Sequence, residues 1–350
     1  MKQSQSQSQW KRWVIACMLL LTATGHAAAV EFDGSTITGC TFTSSDKTYN
    51  CPSSSYTSAA ADIITIADGY SVVGNLNQGA SARLLGNASL TGDLTVTGAV
   101  TMGVEAEIDG NLTSDDGTVT LDSYARVTKD LYAGTTVTSA DHAYVGGKVT
   151  ALETVTMAAS SHVVGNVTGT TVKMAANGII GGDVTATTVS LAANGTIGGA
   201  VTGTTVSLAA NATVKGPITA TGTLSLAAGA TVEAAADATT IDIAAGGCVE
   251  GDANGTTVTL AAGAGVGGNV EADTTVTLAQ GASVGGTVKA GTTFTMTDDS
   301  TVGGQVTFPT VGGPTYEVNG YGLVDAAATS CLGDVSQTIM KRQWRQTFMR

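Results

Sequence analysis

The sequence contains few aromatic side chains, few charges and few prolines, and each shortage excludes a class of protein. Aromatic residues make up 5% of the 350-residue chain, charged residues make up 12%, and there are 4 Pro. An ordinary globular domain fills its core with more aromatic bulk, and collagen requires far more proline. Lys and Arg number 15 against 28 Asp and Glu, so we expect no nonspecific nucleic-acid binding.

Small and β-branched residues take the place of the missing bulk. Hydrophobic residues reach 43% and there are 46 Gly, so the composition is not that of a disordered chain. Ala, Gly, Thr and Val dominate, and Val and Thr favour strands. The composition predicts a slim, repetitive β structure.

Residues 1–29 have the pattern of a secretory signal peptide. Lys2, Lys11 and Arg12 precede an apolar run from Trp13 to Leu21, and small residues follow. The run is short for a bilayer span, and no second run appears. We therefore expect a cleaved signal, a secreted, periplasmic or cell-surface protein, and no transmembrane segment after cleavage.

Four cysteines follow the predicted signal. Cys40 and Cys51 are close in sequence, and export permits oxidation, so we expect a local disulfide between them. Cys248 and Cys331 are either a second pair or two free thiols, and the sequence leaves both alternatives open. No Cys/His cluster has zinc spacing, so we expect neither a metal nor a cofactor.

An internal repeat organises the chain. We call the first apolar strand position of each unit the anchor, and successive anchors are 17 to 19 residues apart. The anchors are Ile64, Ala82, Val100, Val119, Val137, Val155, Val172, Val189, Val206, Leu224, Ile241, Val258, Val276 and Phe294.

Three further positions of each unit repeat as apolar residues, at two, eight and twelve residues after the anchor. Only Ser139 interrupts the position two after the anchor. The position ten after the anchor is Gly in most units, although Lys129 and Ala234 depart. We expect this glycine to serve a corner that needs a positive φ.

The repeat predicts an all-β fold, a single-stranded parallel β-helix (β-solenoid) of about 14 coils. One coil cannot bury its own apolar side chains, whereas stacked coils align identical positions in columns. At roughly 4.8 Å per coil, the rod would be about 60–65 Å long. We expect an N-terminal cap with the Cys pair over 30–62, the solenoid over 63–308, and a C-terminal cap or tail over 309–350.

The repeating unit at 187–203 and the Val-Gly-Gly-x-Val corners at 266–270 and 284–288 resemble those of the bactofilins, a family of bacterial polymer-forming proteins. The resemblance covers 64–306 and implies a rod that polymerises end to end without nucleotide. Typical bactofilins are cytoplasmic, whereas this chain has an export signal. The segment from Cys40 to Cys51 resembles the start of surface proteins linked to type IV pilus biogenesis.

The sequence has no recognisable catalytic constellation, so we expect no enzyme. His142 and His162 lie at different positions of their units, and we interpret them as surface residues. Some larger β-helices cleave polysaccharides with paired acids in a groove. The acids here are scattered along the chain, which leaves a carbohydrate-active enzyme as a distant alternative.

One outward position is unusually regular, because Thr precedes every anchor from Thr118 onward. This threonine ladder resembles the ice-binding face of some antifreeze β-helices, but Thr is also a good solvent-facing strand residue that pairs well with itself. The candidate ladder residues are Thr136, Thr154, Thr171, Thr188, Thr205, Thr223, Thr240, Thr257, Thr275 and Thr293.

Our leading hypothesis is a secreted, non-enzymatic structural rod that self-associates through its terminal coils as an envelope or surface scaffold. Its expected partner is a second copy of itself, with envelope or pilus-associated proteins as further candidates. The alternative is a binding module that uses the threonine ladder on ice or a repetitive glycan surface.

Overall fold

The computed structural model describes residues 29–51, 56–57, 62–307, 315–319 and 323–324. The described residues contain strands, turns and bends and no helix, and the strands stack in parallel from one coil to the next. The predicted fold class, a β-solenoid of about 14 coils, is confirmed. Residues 1–28 of the predicted signal lie outside the described residues, and Ala29 begins the first strand.

Each coil contributes up to three short strands, which form three columns along the rod. Column one contains the anchors, and its separate strands are Ala29–Phe32, Ile63–Ile66, Ser81–Leu84, Val100–Met102, Val119–Leu121, Val137–Ser139, Thr154–Met157, Thr171–Met174, Thr188–Leu191, Thr293–Thr297 and Thr315–Asn319.

Column two contains the position eight after the anchor. Its strands are Thr48–Asn50, Ser71–Val73, Ser89–Thr91, Glu107–Asp109, Arg126–Val127, Tyr144–Val145, His162–Val163, Ile179–Ile180, Thr196–Ile197, Thr213–Val214, Thr231–Val232, Cys248–Val249, Gly265–Val266, Ser283–Val284, Thr301–Val302 and Leu323–Val324.

Column three contains the position twelve after the anchor. Its separate strands are Tyr56–Thr57, Leu76–Gly79, Leu94–Val96, Leu112–Ser114, Leu131–Ala133, Val149–Ala151, Val167–Thr168, Val184–Thr185, Val288–Ala290 and Val306–Thr307. Elsewhere one strand spans column three and column one of the next coil, in Val201–Leu208, Ile218–Leu226, Ala236–Ile243, Ala253–Leu260 and Val270–Leu278. A further strand, Thr41–Thr43, pairs antiparallel with Thr48–Asn50.

The core is the aliphatic lining that the repeat predicts. Ile180 lies over Ile197, and Ile197 lies over Val214, and all three side chains are fully buried. All fourteen anchors are buried as well. At the position that interrupts the aliphatic pattern, Ser139 is buried and bonds the Ser161 hydroxyl at 3.1 Å. Registered stacking therefore gives each coil a dry interior that no coil could form alone.

The structure corrects the expected role of the glycine ten residues after the anchor. Gly74 and Gly92 have the expected positive φ, but Gly110, Gly147 and Gly182 do not. The residue five after the anchor has a positive φ instead, as in Asn177 and Asn194 at 58°. A Cβ atom on Gly147 or Gly182 would lie less than 3.0 Å from atoms of the preceding coil. Close approach of two backbones, and not the turn conformation, therefore selects most of these glycines.

Candidate functional site: the threonine face and the two ends

The threonine ladder lies on the outside of column one, where each Thr precedes a buried anchor. From Thr154 to Thr293 the residues pair in direct register across consecutive coils. Thr205 is exposed and the other nine candidates are half-buried. The result is a straight row of hydroxyl and methyl groups that repeats at the coil spacing of roughly 4.8 Å.

A second outward row runs beside the ladder, at the residue after each anchor. It is Thr or Ser in most coils, but Lys173 and Asp242 are exposed and interrupt it. Lys173 pairs in register with Thr156 and Ser190, so its long charged side chain stands between two hydroxyl groups. The face therefore consists of hydroxyl-bearing stretches separated by single charges.

An open trough borders this face over the central coils. It has a volume of about 480 Å³. Its polar lining includes Ser190, Ser207, Ser225 and Asp242, and the rest is mostly aliphatic, with Leu208 and alanines such as Ala227. The open trough has room for an extended occupant, and the hydroxyl groups offer hydrogen bonds at regular spacing.

A ladder of Asn and Asp side chains, which we did not predict, connects successive coils at the corner between columns two and three. Asn166 Oδ1 accepts a hydrogen bond from Asp183 N at 2.9 Å, and Asp183 Oδ1 accepts one from Ala200 N at 2.8 Å. Farther along, Asp252 Oδ1 accepts from Asn269 N at 2.7 Å. We call this series the Asx ladder. Gly182, Gly199 and Gly268 leave space for these three acceptors, since a Cβ atom on each glycine would come less than 3.0 Å from the accepting oxygen.

The two described histidines are stacked with tyrosines on the outside of the middle coils. The His142 ring lies parallel to the Tyr124 ring, with centroids 4.8 Å apart. The His162 ring meets the Tyr144 ring edge-on at 5.5 Å, and the Arg126 guanidinium lies 4.7 Å from the centre of the Tyr144 ring. Sequence reasoning placed both histidines on the surface and missed these contacts, because the partners come from neighbouring coils.

The N-terminal end carries an extra coil and an inserted hairpin. Ala29–Phe32 pairs with Ile63–Ile66, and Thr48–Asn50 pairs with Ser71–Val73, so both extend their columns by one strand. The antiparallel strand Thr41–Thr43 then pairs with Thr48–Asn50. We call the segment from Thr41 to Asn50 the N-terminal hairpin.

Aromatic rings and a disulfide hold the N-terminal hairpin. Cys40 and Cys51 are disulfide-bonded with their Cα atoms 4.2 Å apart. Phe42 packs on Tyr49 with ring centroids 4.6 Å apart, and the Tyr49 ring meets the Phe32 ring edge-on at 5.0 Å. The Tyr49 hydroxyl accepts from Gly34 N and donates to the Ser35 carbonyl, and burial raises its pKa.

The other end continues the columns beyond the predicted boundary at 308. The backbone of Thr315–Asn319 pairs with Thr293–Thr297, and Leu323–Val324 pairs with Thr301–Val302. Cys248, whose state the sequence left open, is buried and disulfide-bonded. Cys331 lies outside the described residues, as does most of the predicted tail.

The described residues contain neither a metal-binding cluster nor a membrane-spanning helix. Within that part of the chain, no group of three His, Cys, Asp or Glu side chains is arranged to hold a metal ion. The same residues include no helix of the length and apolarity that a membrane crossing requires.

Comparison with known proteins gives one match. Residues 83–185 match the family model of the bactofilins, which are described as polymer-forming cytoskeletal proteins. No curated protein and no solved structure matches the chain. The matched segment is therefore a bactofilin-like part of the solenoid, and the coils on both sides of it continue the same three columns.

Proposed function

We propose that this protein is a secreted structural rod that associates with copies of itself to build a scaffold in the cell envelope or at the cell surface. The observation that carries the proposal is the match to a polymer-forming family within an uninterrupted solenoid. Parallel coils carry unpaired backbone groups at each open end, and such edges pair readily with other chains. Stacking the coils of two rods would continue both the hydrogen-bond ladder and the aliphatic lining.

Electron microscopy of the purified mature protein tests self-association. We expect particles longer than one rod of about 70–75 Å, with a fraction that rises with protein concentration. Monomers alone at every concentration and salt tested would refute the self-association. Val189→Lys is the control for nonspecific aggregation. It places a charge in the buried core of a central coil and leaves the sequence of both ends unchanged, so aggregates that it forms come from the damaged core and not from the ends.

Export is tested separately. We expect the protein recovered from intact cells to lack the predicted signal of residues 1–29, which N-terminal mass spectrometry would detect. The whole chain has a net charge of −13. A net charge this far from zero keeps a protein soluble, so we expect the rods to stay in solution until their ends meet. Recovery of the full-length chain from the cytoplasm alone would refute the envelope location and leave self-association untouched.

A second candidate function uses the threonine ladder as a binding face for ice or a repetitive glycan. The register of hydroxyl groups over consecutive coils favours it, together with the trough beside them. The experiment is a thermal-hysteresis and glycan-binding assay of Thr205→Lys and Thr257→Lys, with Thr196→Lys in column two as the matched control. Activity in the unaltered protein that both ladder variants retain would refute the ladder.

A further inference from the structure

The N-terminal hairpin occupies the outer edge of column two, one of the three column edges that a second copy would need for stacking on the first coil. We propose that this hairpin is a stop, which prevents another copy of the chain from stacking on the first coil. The inference rests on the proposed self-association and deepens it, because it states which end of the rod is closed to a partner.

One strand of the first coil is already paired along both of its edges. Thr48–Asn50 pairs through one edge with Ser71–Val73, in parallel, as a column-two strand of the first coil. Its other edge, which faces away from the rod, pairs with Thr41–Thr43. A second rod stacking here would need that same edge for its own column-two strand. The hairpin strand also runs antiparallel, so its outer edge does not continue the parallel ladder.

The hairpin is an insertion into an otherwise regular coil. Phe32 is in register with Ile66, and Thr48 is in register with Ser71. Only four residues, 67–70, connect these columns in the next coil, whereas residues 33–47 connect them in the first coil. The inserted residues thus leave the solenoid geometry intact and add a strand over its end.

Covalent and aromatic contacts fix the stop in place. Cys40 precedes the hairpin and Cys51 follows it, so their disulfide closes its base. At its centre, Phe42 contacts Tyr49 and stacks on Tyr70 at 6.2 Å, and Tyr70 belongs to the following coil. Displacement by an incoming strand would have to break these contacts as well as the strand pairing.

The test removes the insertion and keeps the coil. A chain without residues 35–45 retains four residues between Phe32 and Thr48, the same number as the next coil, and it carries Cys51→Ser because Cys40 is lost. We expect the unaltered protein to stop at two rods that join by their other ends, about 140–150 Å long, and the shortened chain to form filaments several-fold longer. Sedimentation velocity and electron microscopy measure both, and far-UV circular dichroism checks the fold.

The outcomes separate the stop from the proposed function. Filaments of many rods from the unaltered protein, or two-rod particles from a folded shortened chain, would overturn the stop while self-association stands. Monomers from both proteins would overturn both ideas. Cys40→Ser/Cys51→Ser is the matched control, since it removes the disulfide and keeps the Phe42 contacts. We expect it to form shorter filaments than the shortened chain, and equal lengths would overturn the role given to the hairpin strand.

Discussion

The Asx ladder makes a specific prediction about Gly182, which lies beside the Asn166 side chain of the preceding coil. A Cβ atom added to Gly182 would come less than 3.0 Å from Asn166 Oδ1, Asn166 N and the Gly165 carbonyl carbon. The Asn166 oxygen also accepts the hydrogen bond of Asp183 N at 2.9 Å. Gly182→Ala must therefore separate the two coils, because moving the Asn166 side chain away would relieve only the contact with Oδ1 and leave the two backbone contacts.

The expected cost follows from these contacts. Overpacking of this kind costs about 1–3 kcal/mol, and a lost hydrogen bond costs about 0.5–1.5 kcal/mol. Ala lowers the conformational entropy of the unfolded chain, which offsets about 0.4–1 kcal/mol of this loss. We expect Gly182→Ala to lower the free energy of unfolding by about 0.5–4 kcal/mol. Urea denaturation followed by circular dichroism measures it, and hydrogen exchange locates the loss in the adjacent coils, since each coil contacts only its neighbours.

A double-mutant cycle measures the part of the loss that comes from the Asn166 oxygen and not from the backbone contacts. In an Asn166→Ala background the oxygen is absent, so Gly182→Ala should cost at least about 1 kcal/mol less than in the unaltered protein. Ala234→Gly is a control. Residue 234 lies at the same position of its coil as Gly182, but the residue of the preceding coil that corresponds to Asn166 is Pro217, which has no side-chain oxygen. A loss below about 0.5 kcal/mol for Gly182→Ala, or an unchanged loss in the Asn166→Ala background, would refute this explanation.

Three further predictions test the core, the turns and the hairpin. Ile197→Ala should cost about 2–5 kcal/mol by leaving a cavity in the aliphatic column, whereas Thr196→Ala on the surface should stay within about 0.5 kcal/mol. Both are read by urea denaturation, and equal losses would contradict the buried column. Asn194→Val should cost on the order of 1–3 kcal/mol at a φ of 58°, and Asn194→Gly much less; a valine variant as stable as the glycine variant would contradict the left-handed turn. Burial raises the pKa of Tyr49 above 10.0, so its contribution to stability is complete below the unfolded-state pKa and is lost as the pH rises through the folded-state pKa. Absorbance titration checks this against Tyr49→Phe, and a pKa of Tyr49 below the usual value would contradict it.

The sequence predicted the columns correctly because their signal is a spacing that recurs in every coil. Ile180, Ile197 and Val214 could be aligned without coordinates, since side chains of stacked parallel strands coincide. The small buried residue six after the anchor, such as Ala212 or Ala230, was missed. Its sequence signal is the repeated Ala, Gly or Ser before column two, which aliphatic periodicity alone does not detect.

The candidate surfaces were less predictable. The threonine ladder could be read from a fixed offset, but its function stays a prediction. The Asx ladder was overlooked because Lys148, Ala200 and Pro217 interrupt the Asn and Asp pattern in sequence. The N-terminal coil was hidden for a different reason, since an inserted hairpin separates its column-one and column-two strands and breaks the regular spacing.

The amino-acid sequence by itself determined the coil, its length and the residues that line it, because four apolar positions recur in every unit of 17 to 19 residues and stacked β coils bury all of them. Only the tertiary structure decided what the corners and the end do. Whether a glycine serves a turn or a close approach depends on the backbone of the coil beneath it. Whether the first coil is open depends on a strand that folds back over its edge. Both are relations between residues of different coils, and no spacing within one repeat specifies them.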